Sequence, residues 1–161
     1  MTASPLDRDT IAAVSTAQGR GGIAVVKISG PDSLSILRSV FSSRTEPARF
    51  PRRMIHGFVR DADGTTIDEA LAVYMPGPRS YTGEDVAEIH VHGGYSAASE
   101  SLSVVLLSGA RPAEPGEFTK RAFLNGRIDL VQAEAVMEIV SAESREHLRR
   151  AESLLDGGFS R

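Results

Sequence analysis

Glu88, His90 and His92 stand at alternate positions of the run Val86-Ala87-Glu88-Ile89-His90-Val91-His92. A strand sends successive side chains to opposite faces. This run therefore lines up one carboxylate and two imidazoles on one face, with Val86, and leaves Ala87, Ile89 and Val91 for a core. A carboxylate can accept paired N–H donors of a ligand, and same-face His-x-His spacing, helped by His56, also permits a metal site. The plain alternative is an ordinary polar sheet face. Gly93-Gly94 then opens a predicted helix from Tyr95 to Ser108, with Gly109 as its C-cap. Polar groups at the carboxyl end of a strand, beside a helix N-terminus, commonly form a ligand site.

Cations that could serve such a site lie earlier in the chain. Ile23 to Ser29 reads as a strand with Ala24, Val26 and Ile28 on its apolar face. Lys27 shares the other face with Ile23 and Val25, so its charge among hydrophobes calls for a partner. Before it, Gln18-Gly19-Arg20-Gly21-Gly22 breaks an expected buried strand, Thr10 to Ala17. The glycines do not make a phosphate loop, because a strand follows rather than Lys-Ser/Thr opening a helix. They read as a tight or positive-φ turn, with Arg20 at its tip solvated or gripping an anion.

The chain has 161 residues, enough for one good core and part of a second. Hydrophobic residues make up 41% and charged residues 24%, as in a soluble globular protein, and no apolar run suits a membrane span. Residues 1–8 are polar, lack a secretory core and read as a disordered tail. The absence of cysteine excludes disulfides and thiolate chemistry and fits a cytoplasmic protein. A net charge of −3 argues against a generally basic nucleic-acid binder, although the charge is uneven.

The remaining elements frame these residues. Gly30-Pro31-Asp32 starts a helix, with Ser29 as cap and Leu34, Leu37, Val40 and Phe41 as its buried stripe. Ser42 to Arg53 is a loop carrying Arg44, Arg49, Arg52 and Arg53. Met54 to Arg60 and Ile67 to Met75 form a hairpin turning at Asp63-Gly64, the second arm a central strand. His56 reads as an ordinary sheet residue. Arg111 to Glu114 is extended, and Pro115 to Gly126 is a short helix with Gly126 as its stop. Asp129 and Gln132 form a capping box that launches one helix to about Asp156. Its stripe of Ala133, Val136, Val140, His147, Ala151 and Leu154 asks for partner helices that these residues do not supply.

Several ordered motifs together resemble the N-terminal part of the MnmE (TrmE) family of tRNA-modification GTPases. They are Asp9-Thr10-Ile11-Ala12, Gly19-Arg20-Gly21-Gly22-Ile23, Lys27-Ile28-Ser29-Gly30, Tyr81-Thr82-Gly83-Glu84-Asp85, Glu88-Ile89-His90-Val91-His92-Gly93-Gly94, Pro115 to Gly126, and Asp129 to Ala135. The resemblance implies an α+β fold, a mixed β-sheet with flanking helices similar to the folate-binding domain of aminomethyltransferases. It would comprise residues 9–114, followed at 115–161 by the first long helix of an α-helical domain. The family's inserted G domain, with its GTP, Mg and K, and its C-terminal cysteine motif have no counterpart here. No Walker sequence occurs in these residues, so the chain reads as a truncated module that does not hydrolyse GTP by itself.

The resemblance also implies chemistry. With an MnmG-type flavoprotein, the family modifies C5 of the tRNA wobble uridine (U34). A reduced folate supplies the carbon: methylene-tetrahydrofolate, with 5-formyl-tetrahydrofolate as its stand-in, bound near a homodimer interface. The family's folate-contacting positions fall on Lys27, Glu88 and Arg127, with Lys for Arg and Arg for Lys relative to the commonest pattern, so charge is kept while fork geometry is not. Arg20 is a weaker candidate. No residue is assigned a catalytic role, since the one-carbon chemistry belongs to the cofactor. The basic loop at Ser42 to Arg53 is the best candidate for contacting tRNA phosphate. The competing reading is a dimerisation scaffold whose folate site is vestigial.

Overall fold

The computed structural model describes residues 9–17, 19, 21–142 and 144–157; the expected tail at residues 1–8 and Arg20 lie outside them. The chain divides into two compact units. One comprises the described residues up to Ser80 together with Glu84–Glu114; the other comprises Tyr81–Gly83 and the described residues from Pro115.

The first unit is a seven-stranded sheet built from β1 (Ile11–Val14), β2 (Ile23–Ser29), β3 (Phe41–Ser42), β4 (Ile55–Arg60), β5 (Thr66–Met75), β6 (Val86–His92) and β7 (Arg111–Pro112), with α1 (Ser33–Val40) and α2 (Tyr95–Leu107). The strand order is β3-β4-β5-β6-β2-β1-β7. Every pairing is antiparallel except β1 with β7, so the sheet is mixed and the class is α+β. Period-two alternation decides the faces. Ala24, Val26 and Ile28 of β2 and Ala87, Ile89 and Val91 of β6 join one core with Ile36, Leu37 and Val40 of α1 and Val105 of α2.

The first strand is shorter than Thr10 to Ala17, because pairing with β2 stops at Val14↔Val26. Helix α1 starts at Ser33 with Asp32 as its N-cap residue. Ser29 stays in β2 and gives its hydroxyl to Glu84 instead of capping (2.7 Å). Phe41 leaves the expected helical stripe to begin β3, while Ile36 is buried in its place. The β4–β5 hairpin turns as expected: the Asp61 carboxylate accepts from the N–H groups of Asp63 (3.0 Å) and Thr65 (2.8 Å). Pairing with both β4 and β6 makes β5 an interior strand.

The second unit contains α3 (Glu117–Leu124), α4 (Leu130–Ser141) and α5 (Arg145–Gly157). Gly126, at φ 67°, ends the first of these turns as expected, and the Asp129–Gln132 capping box is formed in both directions. The single long helix is not. Ala142 is extended, and Ser144 caps a new helix by accepting from the His147 N–H (3.2 Å). The break lets α5 fold back on α4. Gln132, in the first turn of α4, donates to the Leu155 carbonyl near the end of α5 (3.2 Å), and Ala135 and Ala151 are fully buried. Of the expected seam only Ala151 is fully buried, whereas Val140 is 82% and Leu154 38% exposed; Ala135 lies outside that stripe. His147 lies exposed rather than packed in that seam.

Candidate functional site

Antiparallel register puts directly opposed residues on the same face. Lys27 of β2 stands opposite Glu88 of β6, which stands opposite Val73 of β5. The next row runs Val25, His90, Leu71 and His56. Lys27 therefore meets Glu88 for a reason that local sequence does not contain: a pairing between distant strands set by sheet registry. The Lys27 ammonium lies 3.6 Å from Glu88 Oε1, and His90 Nε2 donates to Glu88 Oε2 at 3.1 Å. About a fifth of each charged side chain is exposed. At 3.6 Å the Lys27 contact is longer than a charge-assisted hydrogen bond, so it is a loose one. A ligand with better-placed N–H donors can take over the carboxylate without large loss.

The other polar groups of the face are engaged elsewhere. His92 is exposed, and Asp68 accepts from both its Nδ1 (2.8 Å) and its backbone N–H (2.7 Å). The hydrogen bond to Asp68, followed by the Asp68 charge, holds the imidazole pKa above its ordinary value. His56 pairs with Glu69 at 2.6 Å. The groups considered for a metal are thus divided among separate pairs. Among the described residues, no cluster of three or more His, Asp or Glu is arranged to hold a metal ion.

A shallow cleft of about 320 Å³ lies beside the cluster, lined by Ile23, His56, Glu69, Leu71, His90 and His92. Ile23 is 63% and Leu71 41% exposed, so the face is apolar as well as charged. At the end of β6, Gly93 packs against the Gly-rich turn. A Cβ there would lie 2.2 Å from the Gly21 carbonyl oxygen, so no side chain fits. The turn is held by paired backbone bonds between Gly21, Gly22 and Gly93.

The loop leading into β6 is latched by residues that sequence reasoning left without a role. The Tyr74 hydroxyl donates to Asp85 (2.7 Å), whose other oxygen accepts from the Gly77 N–H (2.9 Å). Burial, then the bond to Asp85, pushes the Tyr74 pKa up to about 12. Asp85 thus acts in positioning β6, and Asp68 orients His92. The signal was the polar residue itself; its partner was not readable. Arg127 belongs to the second unit, where it is exposed just after the Gly126 stop and donates its N–H to the Ala122 carbonyl (2.8 Å). In that unit Arg121 and Glu117 form a buried ion pair at 3.1 Å.

The family model described as the N-terminus of the GTP-binding protein TrmE matches residues 10–127. The chain belongs to the TrmE N-terminal family. It is 54% identical over 153 residues to the tRNA modification GTPase MnmE of Roseiflexus castenholzii, covering 94% of this chain and 33% of that protein. The protein of the same name from Nitratidesulfovibrio vulgaris is 52% identical over 153 residues, covering 92% of this chain and 33% of the relative. That from Desulfotalea psychrophila is 46% identical over 162 residues, covering the whole chain and 35% of the relative. The chain spans about a third of the length of these curated relatives.

Proposed function

We propose that this chain is the reduced-folate-binding and dimerising module of an enzyme that modifies C5 of the wobble uridine of tRNA. The observation that carries this reading is Glu88 held between Lys27 and His90 on a half-buried sheet face beside a cleft. A pterin presents adjacent N–H donors that one carboxylate accepts as a fork. The Glu88 carboxylate has the acceptor chemistry that group needs, and its long 3.6 Å contact to Lys27 leaves room for better-placed donors. Lys27 is then released toward an anionic part of the ligand, such as a carboxylate of the folate tail. Arg127, through the family resemblance, and Arg20, as the cation of the Gly-rich turn, are further candidates for that anion. When bound, 5-formyl- or methylene-tetrahydrofolate supplies the one-carbon chemistry.

Exposed Ile23 and Leu71 on the same face favour a second copy as its cover. An MnmG-type flavoprotein and tRNA complete the proposed reaction in the cytoplasm, with GTP, Mg and K assigned to a G domain outside these residues. No helix among the described residues is long and apolar enough to cross a membrane.

Calorimetric titration with 5-formyl-tetrahydrofolate, beside Glu88→Ala, tests the reading. Micromolar binding lost in the variant is the expected result. A folded, dimeric chain that gives no heat would favour the scaffold reading, in which Lys27 already occupies the carboxylate.

A further inference from the structure

Positive charge in this chain is concentrated in one segment. Residues 42–53 carry four arginines against one glutamate, a net +3, whereas the whole chain is −3, leaving −6 for everything else. The only carboxylate of the segment, Glu46, is taken by Arg38 of α1 at 2.9 Å. Arg44 and Arg49 are exposed and make no ion pair among the described residues. Both line a cleft of about 900 Å³ between α1 and this loop, with Arg38, Phe41 and Pro47.

The loop is also built to hold its shape. Arg52 sits at φ 64°, donates its N–H to the Tyr74 carbonyl (2.8 Å) and reaches the carbonyls of Pro76 and Arg79 with its guanidinium. Beside it, Phe50 is 42% exposed with the Arg53 guanidinium 5.6 Å from its ring centroid. An exposed aromatic–arginine stack flanked by exposed arginines is the composition that takes unpaired bases on the ring and phosphates on the guanidinium groups.

We infer that the Ser42–Arg53 loop is an RNA-contacting surface, with Arg44 and Arg49 on the phosphates and the Phe50–Arg53 stack against an unpaired base. The inference rests on the reading that the enzyme's substrate is tRNA. The test is fluorescence anisotropy of the 161-residue chain with a labelled tRNA stem-loop and with a duplex RNA of equal length, over a salt series. In the double variant Arg44→Gln/Arg49→Gln, affinity falls for both RNAs and the slope of log K against log salt becomes shallower, by about 1.4 for two phosphate contacts on a single strand and about 1.8 on a duplex. Phe50→Leu weakens the stem-loop about fivefold or more and leaves the duplex unchanged. A control pair in α5, Arg145→Gln/Arg149→Gln, changes neither. Wild-type affinity and slope in the loop variants, or no salt-dependent RNA binding by the chain, overturns the inference. Folate heats measured on the same samples report on the folate reading separately, and far-UV circular dichroism verifies that the variants are folded.

Discussion

Replacing Tyr74 by Phe removes one hydroxyl and nothing else from the latch that sets the start of β6. The ring is 93% buried, so packing is retained, whereas Asp85 loses its 2.7 Å donor and keeps the Gly77 N–H. Hydrogen bonds to charged groups contribute about 1.5–3 kcal/mol. Asp85 is half-buried and water can replace part of the loss, which places the expected cost near the low end, about 1.5 kcal/mol at neutral pH. A second signature follows from ionisation. The folded-state pKa of Tyr74 is raised from 10.0 to about 12, so its contribution is full below the unfolded value and is lost as pH rises through the window between them. At about pH 11 the unfolded state gains roughly 1.4 kcal/mol from tyrosinate formation while the folded state gains almost nothing. The wild-type advantage over Tyr74→Phe should therefore shrink nearly to zero there. Urea unfolding followed by far-UV circular dichroism, at neutral pH and near pH 11, measures both quantities. A difference below about 0.5 kcal/mol at neutral pH, or one that stays constant into the alkaline range, would refute the latch.

His92 should titrate above the ordinary histidine value, and Asp68→Asn should bring it down, as read by NMR of the imidazole resonances; an unmoved value would show that Asp68 does not hold the ring. The sign is fixed: this raised pKa adds stability below the unfolded value and loses it as pH rises through the folded one. Gly93→Ala forces a methyl group onto the Gly21 carbonyl, a backbone atom that cannot swing aside, and should cost about 1–3 kcal/mol in urea unfolding together with weakened folate heat. In the second unit, Arg121→Leu removes the 3.1 Å donor of buried Glu117 and should destabilise by about 1.5–3 kcal/mol. The double variant Arg121→Leu/Glu117→Leu should recover most of that loss, and equal costs for the single and double variants would remove the ion pair from the account.

How much of this protein was legible depends on the range of the interaction concerned. Residue-by-residue rules determined β2, β6 and their core faces, the Asp129–Gln132 capping box and the glycine stops after α2 and α3, because alternation and capping act within one strand or one turn. Glu88 and Lys27 were each marked as unusual by their own neighbours. Only sheet registry decided that they face one another and that His90 shares the carboxylate while His92 turns to Asp68. The single helix expected from Leu130 failed for the same reason in reverse. A regular apolar period favours continuation locally, but a lone helix cannot bury its seam. Breaking at Ala142 and recapping at Ser144 lets Ala151 close against α4, a gain of burial that exists only in three dimensions.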